Sequence, residues 1–159
     1  MRPVVLLHGL LGSGRNLATL ARDVVARRPD VGAVLLDLTG HGTSPPLPPD
    51  ADSTTLARDV LDSTRALGLT PPLAIVGHSL GGRVALRARW LEPAAIETVI
   101  VLDIPPGPLP ATGEVASVLD VLLRLPETMP SRAEARAALI AEGLAPALAD
   151  WLLLNGEAR

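Results

Sequence analysis

The chain has 159 residues, 48% of them hydrophobic, and a formal net charge of −3, which fits one globular domain with a substantial core. It contains no cysteine, so disulfides, a thiol nucleophile and thiolate metal sites are excluded, and we expect neither a metal nor a cofactor. The arginines are scattered, which argues against nucleic acid as a partner, and no apolar run is long enough for a membrane span.

The first predicted element is a buried strand that ends in a glycine-rich loop. Pro3–Leu7 is apolar, His8–Gly14 reads His-Gly-Leu-Leu-Gly-Ser-Gly, and Arg15–Arg28 has apolar residues at helical spacing. A signal peptide is the alternative, because an arginine precedes the apolar run. Proline, histidine and glycines interrupt that run, however, and no small-residue cleavage site follows. The sequence therefore favours a strand followed by a loop.

The second predicted strand, Ala33–Asp37, ends in an aspartate and leads into a Gly-His-Gly turn. Asp37 and His41 are best explained as turn residues whose side chains bind the backbone of the turn and of neighbouring loops. The prolines within Thr43–Asp50 indicate a stiff surface loop over the site. A helix is then predicted over Thr54–Leu67, with an aspartate and a serine before it as capping candidates and a glycine at its end.

The third predicted strand, Leu73–Val76, runs into Gly-His-Ser-Leu-Gly, and a helix is predicted over Leu80–Leu91. Gly-x-Ser-x-Gly between a buried strand and a helix is typical of a nucleophile elbow, in which glycines avoid a clash where the backbone doubles back. Ser79 is therefore the candidate nucleophile, and the alternative is that it only caps the helix. Such a serine needs hydrogen-bond donors for an oxyanion, and the amides of Leu10 and Leu80 are the candidates.

The fourth predicted strand is Thr98–Leu102, and beyond it the pattern of alternating strands and helices ends. Pro105–Pro110 is predicted as a proline-rich hinge, after which strand patterns stop. Helices are predicted over Glu114–Leu125 and Ser131–Leu154, the second beginning with serine and glutamate in capping-box positions. We therefore divide the chain into a sheet-containing core, residues 1–110, and a helical segment, residues 111–159.

Strands and helices alternate through the core, which predicts an α/β fold with a doubly wound parallel sheet. Each strand is apolar throughout, as expected when helices cover both faces of a sheet. With no Phe, no Tyr and only two Trp, the core must be aliphatic. Ligands of such sheets bind at the carboxyl ends of the strands, where His8, Asp37, Ser79 and Asp103 are predicted to cluster.

Together, His8–Ser13, Gly77–Arg83 and Val101–Pro106 resemble the α/β-hydrolase family, and within it the small capped esterases. The resemblance implies a partial α/β-hydrolase fold, with its strands in the spatial order second, first, third and fourth, followed by a helical cap segment. It implies hydrolysis of a small-molecule ester or thioester through an acyl-enzyme. Asp103 is implied as the acid of the catalytic triad, although an aspartate at a strand end is also a common turn former.

The resemblance also implies a substrate site around the nucleophile and the two donor amides. The residues expected to line it are His8, Gly9, Leu11 and His78. A serine hydrolase further needs a base, usually histidine. The three histidines of the chain each lie in a motif that gives them another role, and His78 adjoins Ser79 in a turn that directs neighbouring side chains apart.

In the resembling family the catalytic histidine follows further strands. We therefore expect this chain to be an incomplete member, truncated at its carboxyl end and also at its amino end, and inactive by itself. Unpaired edges of Ala33–Asp37 and Thr98–Leu102 then predict self-association. No targeting signal is present, so a cytoplasmic location is the default.

Two other functions remain open from the sequence. One is a lyase or haloperoxidase built on the same scaffold, since one fold supports several chemistries. The other is a non-catalytic module that binds a ligand or a partner after losing its histidine. Covalent labelling of Ser79 by a serine-directed probe distinguishes an enzyme from a binding module.

Overall fold

The computed structural model describes residues 1–104, 113–126 and 128–155. The chain divides into two units, Met1–Pro106 and Gly107–Arg159. The predicted hinge at Pro105–Pro110 lies outside the described residues. The described helices include none that is both long enough and apolar enough to cross a membrane.

The first unit alternates strands and helices, as predicted. Its strands are β1 (Arg2–Leu7), β2 (Val31–Leu36), β3 (Leu73–His78) and β4 (Ile96–Leu102). Its helices are α1 (Ala18–Arg27), which follows a 3-10 turn at Gly14–Leu17, α2 (Ser53–Ala66) and α3 (Leu80–Leu91). All strand pairs are parallel and their spatial order is β2-β1-β3-β4, which confirms the predicted order.

Both faces of the sheet are covered by apolar side chains. Val5 and Leu7 of β1 are fully buried in a cluster with residues of α2 and α3. Leu6 between them is 1% exposed, and because alternate strand residues point to opposite faces it is buried on the other side. The buried hydrophobic residues of the described chain are Leu, Val, Ile and Ala, whereas Trp90 is 71% exposed, so the predicted aliphatic core is confirmed.

Helix α2 begins and ends one residue before the predicted range Thr54–Leu67, and of the two capping candidates it is the aspartate, Asp52, that caps it. The side chain of Asp52 accepts hydrogen bonds from the amides of Thr54 and Thr55, at 2.8 and 2.9 Å, and so satisfies two donors of the first turn. Gly68 follows the last turn with a φ of +67°, a conformation that glycine adopts without steric strain.

The second unit contains α4 (Glu114–Arg124), α5 (Arg132–Ala141) and α6 (Pro146–Leu154). The prediction of one helix over Ser131–Leu154 is therefore wrong. Gly143 has a φ of +96°, which is incompatible with a continuous helix, and Pro146 has no amide hydrogen to donate to the preceding turn. The predicted amino-terminal cap is confirmed, since the hydroxyl of Ser131 accepts a hydrogen bond from the amide of Glu134 at 3.1 Å.

The two edge strands carry exposed apolar side chains. Leu35 on β2 is 38% exposed and Ile100 on β4 is 48% exposed. In the described sheet each of these strands pairs on one side only, so its other edge presents backbone donors and acceptors. The prediction of self-association rests on this arrangement.

Candidate active site

Three strained residues mark the carboxyl edge of the sheet. Among the described residues, the non-glycine residues with left-handed backbone are Leu11, Ser79 and Asp103, with φ values of 60°, 49° and 58°. They follow β1, β3 and β4, so all three lie in loops at the same edge. This conformation costs an L-residue about 1–2 kcal/mol, and such strain concentrates at functional sites.

Ser79 occupies the sharp turn between β3 and α3, with a ψ of −113°. Its amide donates to the carbonyl of Leu102 at 3.0 Å, and its carbonyl accepts from the amide of Gly82 at 3.0 Å. Its side chain forms no capping hydrogen bond with α3, whereas Asp52 and Ser131 do cap their helices through their side chains. The capping explanation of Ser79 therefore has no support in the geometry.

The glycines beside Ser79 are required by close backbone contacts. A β-carbon on Gly77 would lie 2.3 Å from the carbonyl oxygen of Gly81. A β-carbon on Gly81 would lie 2.4 and 2.6 Å from the carbonyl oxygens of Leu7 and His8. The amide of Gly81 donates to the same His8 carbonyl at 3.1 Å, so the first turn of α3 lies directly against the end of β1.

The loop after β1, residues His8–Gly14 and hereafter the β1 loop, lies against the candidate nucleophile. A β-carbon on Gly9 would lie 3.3 Å from Cβ of Ser79 and 2.8 Å from Nδ1 of His78. In the described part of the chain, the amides of Leu10 and Leu80 donate no hydrogen bond, and both residues are half-buried. Two amide donors beside the serine are thus available to a ligand.

His8 faces the protein interior, not the surface. Its ring is 0% exposed, and Nε2 accepts from the amide of Leu38 at 3.0 Å. Nδ1 lies 2.7 Å from the carbonyl oxygen of Gly9, so the hydrogen-bond pattern assigns the proton to Nδ1. Burial lowers the pKa of His8, which keeps the ring neutral. This geometry differs from the expected contact with substrate, because both ring nitrogens are occupied by backbone.

Asp37 follows β2 and binds two loops, as predicted. One carboxylate oxygen accepts from the amide of Gly14 at 2.7 Å, and the other accepts from the amide and hydroxyl of Thr43 at 2.9 and 3.1 Å. Burial raises the pKa of Asp37, but these hydrogen bonds outweigh burial and hold the pKa below its ordinary value. His41 stays within the same turn, with Nδ1 3.2 Å from the carbonyl oxygen of Thr39.

Asp103 and His78 lie next to each other across β3 and β4. Nε2 of His78 is 3.6 Å from a carboxylate oxygen of Asp103, too long for a hydrogen bond but close enough for an ion pair when the ring is protonated. The side chain of Asp103 is 88% exposed. Sequence reasoning missed this contact, although the register that pairs His78 with Leu102 places Asp103 one residue further along.

A cavity of about 380 Å³ lies between the turn after β2 and α2. Its lining includes Pro45, Pro46 and Pro48, but neither Ser79 nor Leu10. The proline-rich loop therefore lines this cavity, and its predicted place over the site stays a prediction. The described residues contain no group of three His, Asp or Glu that could hold a metal ion.

The parallel sheet, the elbow and the neighbouring donor loop define a class of protein. The chain belongs to the α/β-hydrolase family: residues 2–146 match the family described as alpha/beta hydrolase fold. It is 37% identical over 115 residues to the sn-1-specific diacylglycerol lipase ABHD11 of Xenopus laevis, covering 70% of this chain and 35% of that protein. It is 35% identical over 104 residues to Esterase YbfF of Escherichia coli (strain K12), covering 65% and 39% of the two chains.

A solved structure described as a marine microorganism esterase superposes with a TM-score of 0.87 at 27% identity, covering 99% of this chain and 60% of that one. The family and the α/β fold predicted from the sequence are thus confirmed. The chain spans between a third and two fifths of the length of the two curated relatives above.

Proposed function

We propose that this chain carries the nucleophile half of the active site of a serine hydrolase acting on carboxylic esters or thioesters. The observation that carries the proposal is the backbone of Ser79, which is held at a φ of 49° between β3 and α3 while its hydroxyl caps no helix. Strain that contributes nothing to the helix end is expected where a side chain must be presented to a substrate. The names lipase and esterase among the relatives support esters as the substrate class.

In the proposed reaction, Oγ of Ser79 attacks the acyl carbonyl carbon while a base removes the hydroxyl proton. The amides of Leu10 and Leu80 then donate to the oxyanion of the tetrahedral intermediate. The base returns its proton to the departing alcohol or thiol, and water hydrolyses the acyl-enzyme by the same two steps. Asp103 has the role of orienting the base and stabilising its protonated form.

The three histidines of this chain are all engaged elsewhere, so we propose that Ser79 has no base within these 159 residues. His8 uses both nitrogens on backbone, and His41 binds the carbonyl of Thr39. His78 faces Asp103 and Gly9. In the described part of the chain, none of them forms a hydrogen bond with the hydroxyl of Ser79.

We further propose that the helices α4, α5 and α6 belong to a cap segment of the hydrolase. The family match supports this, because it extends to residue 146 and thus includes α4 and α5. Along the chain, the boundary between the two units falls between residues 106 and 107, close to the boundary at residue 110 that the sequence predicts.

The experiment is covalent labelling with a fluorophosphonate, which phosphonylates an activated serine, with and without added imidazole as a diffusible base. We expect the label on the peptide that contains Ser79 and a faster reaction with imidazole. Ser79→Ala removes the label. Ser131→Ala is the matched control, because it removes a serine that does cap a helix, and we expect its labelling to equal wild type. Absence of label even with imidazole, or equal label in Ser79→Ala, would overturn the proposal and favour a binding module.

A further inference from the structure

We infer that Asp37 is a positioning residue for the oxyanion donor at Leu10, acting through the β1 loop. The inference rests on the proposed function, since it assigns the aspartate at the end of β2 a role in that same site. Asp37 itself touches neither Ser79 nor the donor amides. Its carboxylate instead fixes Gly14, the last residue of the loop that carries Leu10.

The carboxylate of Asp37 is half-buried and has separate hydrogen-bond donors for each oxygen. One oxygen accepts from the amide of Gly14 at 2.7 Å, and the other accepts from the amide of Thr43 at 2.9 Å. A β-carbon on Gly42 would lie 2.2 Å from the second oxygen, so the turn closes directly over the carboxylate. Asp37 thereby joins the loop after β1 to the turn after β2, and charge-assisted hydrogen bonds of this kind are stronger than neutral ones.

The opposite end of the β1 loop is held from the same turn. The amide of Leu38 donates to Nε2 of His8, and the His8 carbonyl accepts from the amide of Gly81 in α3. Consecutive residues of the turn after β2, at positions 37 and 38, therefore anchor the last and the first residue of the loop. Leu10 lies between these two anchors.

The loop needs such anchors because its own geometry is strained. Leu11 has a φ of 60°, which costs an L-residue about 1–2 kcal/mol, and inside the loop the described backbone hydrogen bond runs from Gly12 to Gly9 at 3.1 Å. An oxyanion donor must be placed to within a few tenths of an ångström. Losing the anchor at Gly14 frees the loop to relax toward unstrained dihedrals and moves the amide of Leu10.

The test compares removal of the carboxylate with removal of one of its donors. Asp37→Ala removes the acceptors for both Gly14 and Thr43. Thr43→Val is the matched control, because it removes the hydroxyl bond at 3.1 Å and leaves the bond to Gly14 intact. In the full 159-residue chain we expect amide hydrogen exchange at Gly12 and Gly14, which both donate hydrogen bonds in the wild type, to rise by about tenfold or more in Asp37→Ala. We expect the β3 amides to be unchanged and Thr43→Val to behave like wild type.

The chemical readout is the rate constant of Ser79 labelling by the fluorophosphonate with imidazole. We expect a loss of roughly tenfold in Asp37→Ala, smaller than the 10²–10³ that follows removal of a donor itself. Asp37→Asn keeps an acceptor for Gly14 and serves if the alanine variant does not fold; we expect its rate to lie nearer wild type.

Unchanged loop exchange in Asp37→Ala, an equal rise in β3, or the same effect in Thr43→Val would each overturn the inference. The two proposals fail separately. If the wild-type chain takes no label at Ser79, the proposed function fails, whereas amide exchange still decides whether Asp37 positions the loop.

Discussion

The contact between α3 and β1 predicts that alanine at Gly81 is strongly destabilising. Its β-carbon would lie 2.4 Å from the carbonyl oxygen of Leu7, 2.6 Å from that of His8 and 2.7 Å from the Leu7 carbonyl carbon. All three atoms are backbone, so no side chain can move aside, and reaching an ordinary separation of about 3.5 Å requires α3 and β1 to separate by roughly 1 Å. Overpacking costs about 1–3 kcal/mol and weakening the hydrogen bond to His8 about 0.5–1.5 kcal/mol.

We therefore expect Gly81→Ala to lower the free energy of unfolding by about 2–4 kcal/mol, a large part of the 5–15 kcal/mol of a typical domain. Urea unfolding followed by circular dichroism measures it. Gly32→Ala on β2 is the matched control, because the nearest atom to its β-carbon is Sδ of Met1 at 3.4 Å, an ordinary contact. We expect it to stay within about 1 kcal/mol of wild type. A Gly81→Ala variant no less stable than the control would refute the reasoning.

Three further predictions concern activity, association and pH. Without a base at Ser79, the isolated chain should hydrolyse p-nitrophenyl acetate at the same rate as its Ser79→Ala variant. A turnover of about 10 s⁻¹ in the wild type that Ser79→Ala abolishes would contradict this. The edges of β2 and β4 should make the chain self-associate, and a clean monomer in sedimentation at tens of micromolar would count against that. In the folded state burial lowers the pKa of His8, and hydrogen bonds that outweigh burial lower the pKa of Asp37. The unfolded state therefore binds protons more readily than the folded state at both positions. The free energy of unfolding should therefore fall as pH drops below about 6.5 and again below about 4, and a flat profile between pH 7 and 5 in urea titrations would exclude the His8 contribution.

Most of the fold was predictable because short apolar runs mark the strands and helices, and glycines mark the turns that end them. β1 and α3 were predicted to within one residue at each end, and the parallel order of the sheet followed from the crossover rule and the family resemblance. The prediction of one helix over Ser131–Leu154 is wrong for a reason that is visible in the sequence. Apolar residues continue at helical spacing through the break and predict one helix, whereas Gly143 and Pro146 interrupt it.

The candidate site was predictable as a set of loops but not as a set of contacts. Ser79 and the glycines around it follow from a local rule about a strand, a turn and a helix. The contacts of His8 with Leu38 and of Asp37 with Gly14 join segments that are 30 and 23 residues apart, so no local pattern contains them. The sheet register pairs Leu7 with Leu36, which places the residues that follow them side by side, but that register is known only once the strands are paired.

The strain at the carboxyl edge explains why these contacts matter for the proposed chemistry. Leu11, Ser79 and Asp103 each adopt a backbone conformation that costs about 1–2 kcal/mol. Neighbouring segments must therefore hold them. Three hydrogen bonds join these segments: Gly81 of α3 to the His8 carbonyl, Gly14 to Asp37, and Ser79 to the carbonyl of Leu102 at the end of β4. Since these bonds join the ends of all four strands, we expect a change at Gly81 or at Asp37 to displace Ser79 and its donor amides.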